Sequence, residues 1–175
     1  MTPDPDFSLL NIVRCLKNLD DLSLSKRLAD EAFGAYSLES VSHLVRGLPN
    51  LINLELTSCS ITDEALEVIV RELPALASLK LSNKEMYSNQ RPNSNTIGIA
   101  GVYSVCTGLP LLRTLDLSNS WSNSWENRIS DEAVILLARS LPSLEVLDIS
   151  INRFTQTTVL SATRVWHHSI GTSLI

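Results

Sequence analysis

Residues 48–56 read LPNLINLEL, and this phrase decides the fold because it recurs along the chain. In the pattern LPxLxxLxL, one residue separates the last two leucines, which is the period of a β-strand. Each copy therefore predicts a strand that points both leucines to one face and the residue between them to the other. The pattern returns, with Lys17 in place of the proline in its weakest copy, at residues 16–24, 73–81, 109–117 and 141–149.

A second phrase lies between the strand copies and has helical spacing. It reads ITDEAL at residues 61–66 and ISDEAV at residues 129–134, and IGIAGV at 97–102 lies at the same distance from the next Leu-Pro pair. Its apolar residues share one helical face, and Thr62 and Ser130 can cap the helix start with a side-chain oxygen. Each unit is therefore predicted to be a strand, a turn and a helix that returns antiparallel.

On these residues the chain resembles the leucine-rich repeat family, in the ribonuclease-inhibitor-like subclass that has a helix in every repeat. The consensus LxxLxLxxN/CxL is matched in full by residues 51–61 and 144–154, with Cys59 and Asn152 at its N/C position. The resemblance implies an α/β fold, a right-handed leucine-rich repeat solenoid (horseshoe) of about five strand–helix repeats with a parallel sheet on its concave face.

Two copies depart from the consensus after the strand. Counted from Leu81, the N/C position and the apolar position after it fall on Lys84 and Met86. Counted from Leu117, the N/C position falls on Ser120. We expect irregular turns at both places.

The repeats predict a single domain over residues 1–175. Within it, residues 1–16 are an N-terminal helix or cap, residues 17–154 the repeats, and residues 155–175 a C-terminal helix and tail in which no Leu-Pro strand phrase occurs. Two interpretations stay open because the array starts and stops inside a unit. The terminal helices are simple caps, or the chain is an oligomer or a fragment of a longer array whose ends are covered.

The composition excludes several classes of function. The net charge is −5 and the longest basic cluster is Lys26-Arg27, so a nucleic acid partner is not expected, because phosphate binding needs clustered Lys and Arg. No apolar run is long enough to span a membrane. Three cysteines without a CxxC pair, in a chain without an Asn-x-Ser/Thr sequon, favour a reducing, cytoplasmic location.

The histidines and glycines offer no catalytic, metal-binding or cofactor-binding motif. His43 lies in a predicted helix without a nucleophile motif near it, and His167 and His168 lie in the tail. No HxxxH, P-loop or dinucleotide fingerprint occurs. Because a nucleophile needs a base and an orienting group in reach, we predict a protein that is not an enzyme and that needs no cofactor or metal.

The residues between the paired leucines form the first candidate site. In the central position they are Ser23, Glu55, Lys80, Asp116 and Asp148. Adjacent strands lie about 4.8 Å apart, so these side chains should form one ladder on the face opposite the leucines. Either the charged members bind a basic partner surface, or they form a solvated sheet face on which Lys80 offsets Glu55 and Asp116.

The second candidate site lies in polar insertions that follow three of the strands, at residues 25–35, 84–95 and 118–128. The last insertion contains Ser-Asn-Ser-Trp twice, ending at Trp121 and Trp125. Tryptophan in a surface loop is a common binding anchor, and Tyr87 and Arg91 of the neighbouring insertion can join the pair. The alternative is that the tryptophans fold back onto the repeats.

Together these features predict a non-catalytic protein–protein interaction module that binds a protein partner through the concave sheet and the Trp-containing rim loop. Two alternatives stay open: a structural subunit or scaffold of a large intracellular assembly, and a recognition or regulatory fragment of a larger enzyme complex. Five strands span only about 24 Å, which is short for a curved receptor and favours the assembly alternative somewhat.

Overall fold

The computed structural model describes residues 11, 13–25, 36–83, 94–119, 127–152, 154–155 and 158, and the backbone of 173–174. The strands are β1 (Asp21–Ser25), β2 (Asn53–Thr57), β3 (Ser78–Lys80), β4 (Thr114–Asp116), β5 (Val146–Asp148) and β6 (Ser173–Leu174). The helices are α1 (Leu38–Gly47), α2 (Asp63–Glu72), α3 (Ile99–Gly108) and α4 (Asp131–Ser140). A strand and the helix that follows it are called a unit, so that β2 and α2 form the second unit.

The strands form one parallel sheet in the order of the sequence, from β1 to β6. The register aligns the first leucine of every LxL pair in one column, which contains Leu22, Leu54, Leu79, Leu115 and Leu147. All five side chains are buried, because they lie on the face that the helices cover. The predicted α/β class, with parallel strands that alternate with helices, is confirmed.

Three of the four helices begin at a residue with a capping hydroxyl. The oxygen of Thr62 accepts a hydrogen bond from the Ala65 N–H at 3.3 Å. Ser130 caps α4 in the same way, at 3.4 Å from the Ala133 N–H, and Ser37 caps α1. The first turns of α2 and α4 are acidic and their last turns basic, which complements the helix dipole. The two predicted caps are confirmed.

Helix α3 receives its cap from the neighbouring unit. Its N-cap is Gly98, which has no side chain to accept a hydrogen bond. The carboxylate of Asp63, in α2, accepts the Gly98 N–H at 2.8 Å instead. Asp131, at the start of α4, likewise accepts a backbone N–H from the residues that follow its unit, that of Thr155 at 2.6 Å. That bond is the main reason why the pKa of Asp131 is lowered.

The helices bury their apolar face against the leucine side of the sheet. Leu66 and Ile69 of α2 and Leu137 of α4 are fully buried and join the strand leucines in one core. Burial of such a side chain contributes about 1.5–3 kcal/mol. The recurring leucines therefore supply the main stabilising contacts between the sheet and the helices.

The residue at the N/C position of the repeat bonds to the backbone of the preceding unit. The Asn152 amide donates to the Leu117 carbonyl at 2.9 Å and accepts the Ile129 N–H at 3.1 Å. At the same position of the second unit, the Cys59 thiol donates to the Leu24 carbonyl at 3.6 Å. Each of these side chains therefore links its unit to the preceding unit by a hydrogen bond to a backbone carbonyl.

In the third and fourth units, the N/C position is filled from the far side of the insertion. Asn95 donates to the Leu56 carbonyl at 2.7 Å and accepts the Ile61 N–H at 2.8 Å. Asn127 donates to the Leu81 carbonyl at 2.9 Å. The chain therefore inserts residues between the strand and the asparagine, and the contact between units is preserved.

This arrangement corrects the alignment of the two irregular copies. Asn95 and Asn127 hold the positions that were assigned to Lys84 and Ser120, and the apolar position assigned to Met86 belongs to Ile97. The assignment was wrong because it counted forward from the strand across an insertion. Counted backward from the helix, each asparagine stands two residues before an isoleucine, as Cys59 does.

The ends of the chain agree only in part with the predicted helices and tail. Residues 11 and 13–15 are helical, within the predicted N-terminal helix, and so is residue 158, within the predicted C-terminal one. In the tail, Ser173–Leu174 pairs with Val146 and Leu147 as β6, although no strand phrase is present, because β5 offers an open edge for pairing. The described helices are all too short or too polar to cross a membrane.

Candidate functional site

The four charged residues predicted between the leucines form a continuous row on the sheet. Glu55 lies beside Lys80, Lys80 beside Asp116, and Asp116 beside Asp148 in the strand register. All four are half-buried and lie on the face opposite the leucines. The structure therefore brings together the residues that the sequence placed in one column, and we call them the sheet row.

Two carboxylates of the sheet row are held by the serine two residues further along. Asp116 Oδ1 accepts hydrogen bonds from the Ser118 hydroxyl at 2.6 Å and the Ser118 N–H at 2.9 Å. Asp148 Oδ1 is bonded to Ser150 in the same way, at 2.7 and 2.9 Å. These bonds hold both carboxylates in one orientation.

The third carboxylate of the row is held by a threonine. The Thr57 hydroxyl donates to Glu55 Oε1 at 3.0 Å. Thr57 is fully buried, and its hydroxyl lies 3.5 Å from that of Ser82 on the next strand. At this end of the row, a buried hydroxyl of the same strand therefore holds the carboxylate.

Lys80 has a different environment from the carboxylates beside it. Hydroxyl groups donate to Glu55 at 3.0 Å and to Asp116 at 2.6 Å, and Lys80 lies between these two carboxylates in the strand register. A shallow depression of about 190 Å³ lies next to Lys80, and its polar walls are formed by Asp21, Ser23, Asn53, Glu55, Ser78 and Lys80. This depression can receive a side chain from a partner.

Two of the predicted insertions leave the sheet from neighbouring strands. Asn83, just before one insertion, donates to the side chain of Asn119, just before the other, at 3.0 Å. Asn83 accepts the Asn95 N–H at 2.7 Å, and Asn119 donates to the Asn127 carbonyl at 3.0 Å. Each insertion is thus closed at its base by an asparagine pair, and the two bases lie side by side.

The aromatic and basic residues predicted in these insertions lie outside the described residues. They are Trp121, Trp125, Tyr87 and Arg91. Their part in binding stays a prediction. The structure does show that the bases of both insertions adjoin the sheet row, since Asn119 follows Asp116 and Ser118 at the end of β4.

The thiol of Cys106 is a poor nucleophile in this structure. Burial raises its pKa to about 11, although a hydrogen bond with Ser140 opposes the shift. The thiol therefore stays protonated near neutral pH, whereas the thiolate is the reactive form. In the portion of the chain that the structure describes, no cluster of three or more His, Cys, Asp and Glu is placed to hold a metal ion.

Sequence reasoning missed the hydroxyl partners of the carboxylates and the asparagine bases of the insertions. The signal for the first is Asp-x-Ser, which occurs at residues 116–118 and 148–150. The signal for the second is Leu-Ser-Asn at residues 81–83 and 117–119. Asp-x-Ser begins between the two apolar residues of the LxL pair and Leu-Ser-Asn begins at its second leucine, so the strand pattern could have located both motifs.

No protein-family model matches the chain, and no curated protein matches it in sequence. Among solved structures, the chain is similar to one named "Leiomodin-1 Actin-Binding Site 2 (ABS2)", with a TM-score of 0.59 and 14% sequence identity. The match covers 95% of this chain and 90% of that chain. At this identity, the likeness shows the fold alone.

Proposed function

We propose that the chain is a non-catalytic protein–protein interaction module, built as a right-handed leucine-rich repeat solenoid of the ribonuclease-inhibitor-like kind. The sequential order of the parallel strands and their alternation with helices support this architecture. The sheet row is the observation that carries the functional proposal, because it is a charged surface whose carboxylates are oriented in advance.

The sheet row favours a partner with basic side chains. Three carboxylates and one ammonium group give the row a net negative charge, and complementary charge mainly speeds association and selects the partner. The hydroxyls of Ser118 and Ser150 each occupy one oxygen of an aspartate. Lysine or arginine side chains of the partner would bind the outward side of these carboxylates, and one more side chain would enter the depression beside Lys80.

The insertions supply the apolar part of the same surface in this proposal. Trp121 and Trp125, with Tyr87 and Arg91, would anchor the partner beside the middle of the sheet row, because their insertions follow the strands that carry Lys80 and Asp116. The three free cysteines are compatible with a reducing compartment, and we place the module in the cytoplasm.

Charge reversal on the sheet row tests the proposal. Wild-type protein, Asp116→Lys, Asp148→Lys and the control Glu39→Lys are immobilised, and proteins captured from native extract are quantified by mass spectrometry. Glu39 is exposed on α1, so the control has the same change in charge away from the row. We expect proteins that bind the wild type and the control and are lost from both row variants.

Filamentous actin is a specific probe for the same experiment, because the similar solved structure is named for an actin-binding site. Each variant is pelleted with actin filaments in parallel with the extract. Equal capture of every protein by the control and by both row variants would show that the sheet row is not the binding surface.

A further inference from the structure

Helices α1, α2 and α4 carry the same pattern of charged residues on their outward side, and α3 does not. Helices α1 to α4 each span 10 residues, so their positions can be compared directly. The second position is Glu39, Glu64 and Glu132 in three helices and Ala100 in α3. The ninth position is Arg46, Arg71 and Arg139 in the same three helices and Thr107 in α3.

Helix α3 exposes apolar side chains and carries no charged residue in its first or last turn. Tyr103, at its fifth position, is 60% exposed and Ile99 is 40% exposed. The residue equivalent to Tyr103 on α4 is Ile135, which is 36% exposed. A broad groove of about 820 Å³ lies beside Tyr103, between α2 and α3. A tyrosine next to a groove is the kind of residue that dominates binding energy at protein interfaces.

The floor of this groove is formed by close helix packing. A side chain larger than hydrogen at Gly108 would collide with Val70 of α2. At Gly101, an added Cβ would lie 2.5 Å from Asp63 Oδ1 and 3.0 Å from Leu66. The glycines therefore allow α3 to approach α2, and the groove exists before any partner binds.

We propose that this helix face is the interface of a two-fold symmetric dimer, in which a second copy of the chain packs its α3 antiparallel to the first. Acidic residues lie at the starts of the flanking helices and basic residues at their ends. An antiparallel two-fold arrangement therefore sets Glu132 of each copy against Arg139 of the other. A parallel arrangement would oppose like charges at the helix ends, so the charged residues at the starts and ends of the flanking helices match only an antiparallel copy.

The apolar groups lie at the centre of this arrangement. Tyr103 of each copy enters the groove of the other, and the two Ile135 side chains meet beside it. Glu67 is at the same level as Tyr103 on α2 and is exposed, so the two copies bring like charges together there. Glu67→Gln should therefore strengthen the dimer.

The charge pair on α4 is the decisive one. Arg71 is engaged with Glu72 of its own helix at 3.1 Å, and Arg46 reaches the same carboxylate at 3.2 Å. In the described part of the chain, Arg139 forms no ion pair. It is therefore available to Glu132 of a second copy.

Sedimentation velocity of the full chain over a concentration series measures the dissociation constant of the dimer. The wild type should dimerise reversibly, and Tyr103→Glu should raise the dissociation constant on the order of tenfold or more. Arg113→Glu, an exposed charge reversal in the turn before β4, should leave it unchanged. A wild type that stays monomeric up to its solubility limit, or a dimer that Tyr103→Glu leaves intact, overturns the proposal.

A charge exchange separates this interface from any other mode of association. Glu132→Arg and Arg139→Glu, each checked for folding by circular dichroism, should both be monomeric, because each sets like charges opposite one another. Mixed in equal amounts, they should form a heterodimer, since every pair is then opposite in charge. Failure of the mixture to associate would contradict the antiparallel arrangement, even if each variant alone is monomeric.

Discussion

The second and third units have the same leucine pattern and different connections around it. In the second unit, residues 58–62 lead from β2 to α2, whereas residues 81–98 lead from β3 to α3. Helix α2 is capped by Thr62 of its own unit, whereas the N–H at the start of α3 bonds to Asp63 of the second unit. Helix α2 has charged first and last turns, and those of α3 are uncharged.

This comparison shows which parts of a unit are fixed by the core and which depend on a neighbour. The buried leucines and the side chain at the N/C position recur in both units because they join one strand to the next. The third unit can accept an insertion because Asn95 restores that contact after it. Its helix start, in contrast, depends on a carboxylate that belongs to the second unit.

The largest expected effect is the loss of the Asn95 side chain. Asn95→Ala leaves the Leu56 carbonyl and the N–H groups of Cys59 and Ile61 without this partner in a buried site. Each unsatisfied buried group costs about 1–3 kcal/mol, so the free energy of unfolding should fall by roughly 3 kcal/mol or more. Urea unfolding followed by circular dichroism measures the change.

The equivalent change in the second unit is the matched control. Cys59→Ala removes the weak hydrogen bonds of the thiol to the Leu24 and Thr57 carbonyls and a small buried group, so we expect a loss of about 1 kcal/mol. If the two variants lose equal stability, the insertion does not depend on Asn95 and the comparison of the units fails.

The two helix caps provide the next prediction. Asp63→Ala should destabilise the start of α3 by about 1 kcal/mol, whereas Thr62→Ala should destabilise the start of α2 by a similar amount. Hydrogen exchange of backbone amides separates the two effects, because each variant should increase exchange in a different helix. Faster exchange in α2 alone for Asp63→Ala would show that the carboxylate does not cap the neighbouring unit.

The sequence predicted the features that have a period and missed those that span an insertion. The leucine column and the sheet row followed from the alternation of LxL, and the caps at Thr62 and Ser130 from their side-chain oxygens at the start of a segment with helical spacing. Asn95 was missed because its distance from the strand differs from that in other units. The capping role of Asp63 was missed because its bond to Gly98 depends on how neighbouring units stack.

Asp131 also accepts a backbone N–H of the next unit, and the pH dependence of stability tests this contact. The hydrogen bond from the Thr155 N–H lowers the pKa of Asp131 in the folded state. Its contribution to stability is therefore complete above the unfolded aspartate pKa of about 3.9 and is lost as the pH falls through the folded pKa. The stability difference between wild type and Asp131→Asn, from urea unfolding at several pH values, should shrink below about pH 4. A difference that grows as the solution is acidified would show the opposite sign.

Shortening the insertion of the third unit, which the second unit lacks, should have the smallest effect on the free energy of unfolding. The side chain of Asn83 bonds to both backbone groups of Asn95 at the base of the insertion, so replacing residues 84–93 by a short Gly/Ser linker should leave these two bonds in place. Loop-closure entropy changes by only about 0.6 kcal/mol for each doubling of length, so the free energy of unfolding should change by less than about 1 kcal/mol. The same replacement combined with Asn83→Ala should cost clearly more, because the Asn95 backbone then loses both of its bonds to that side chain. A large loss from the linker alone would mean that the inserted residues stabilise the third unit directly, and that the asparagine pair is not what makes the insertion tolerable.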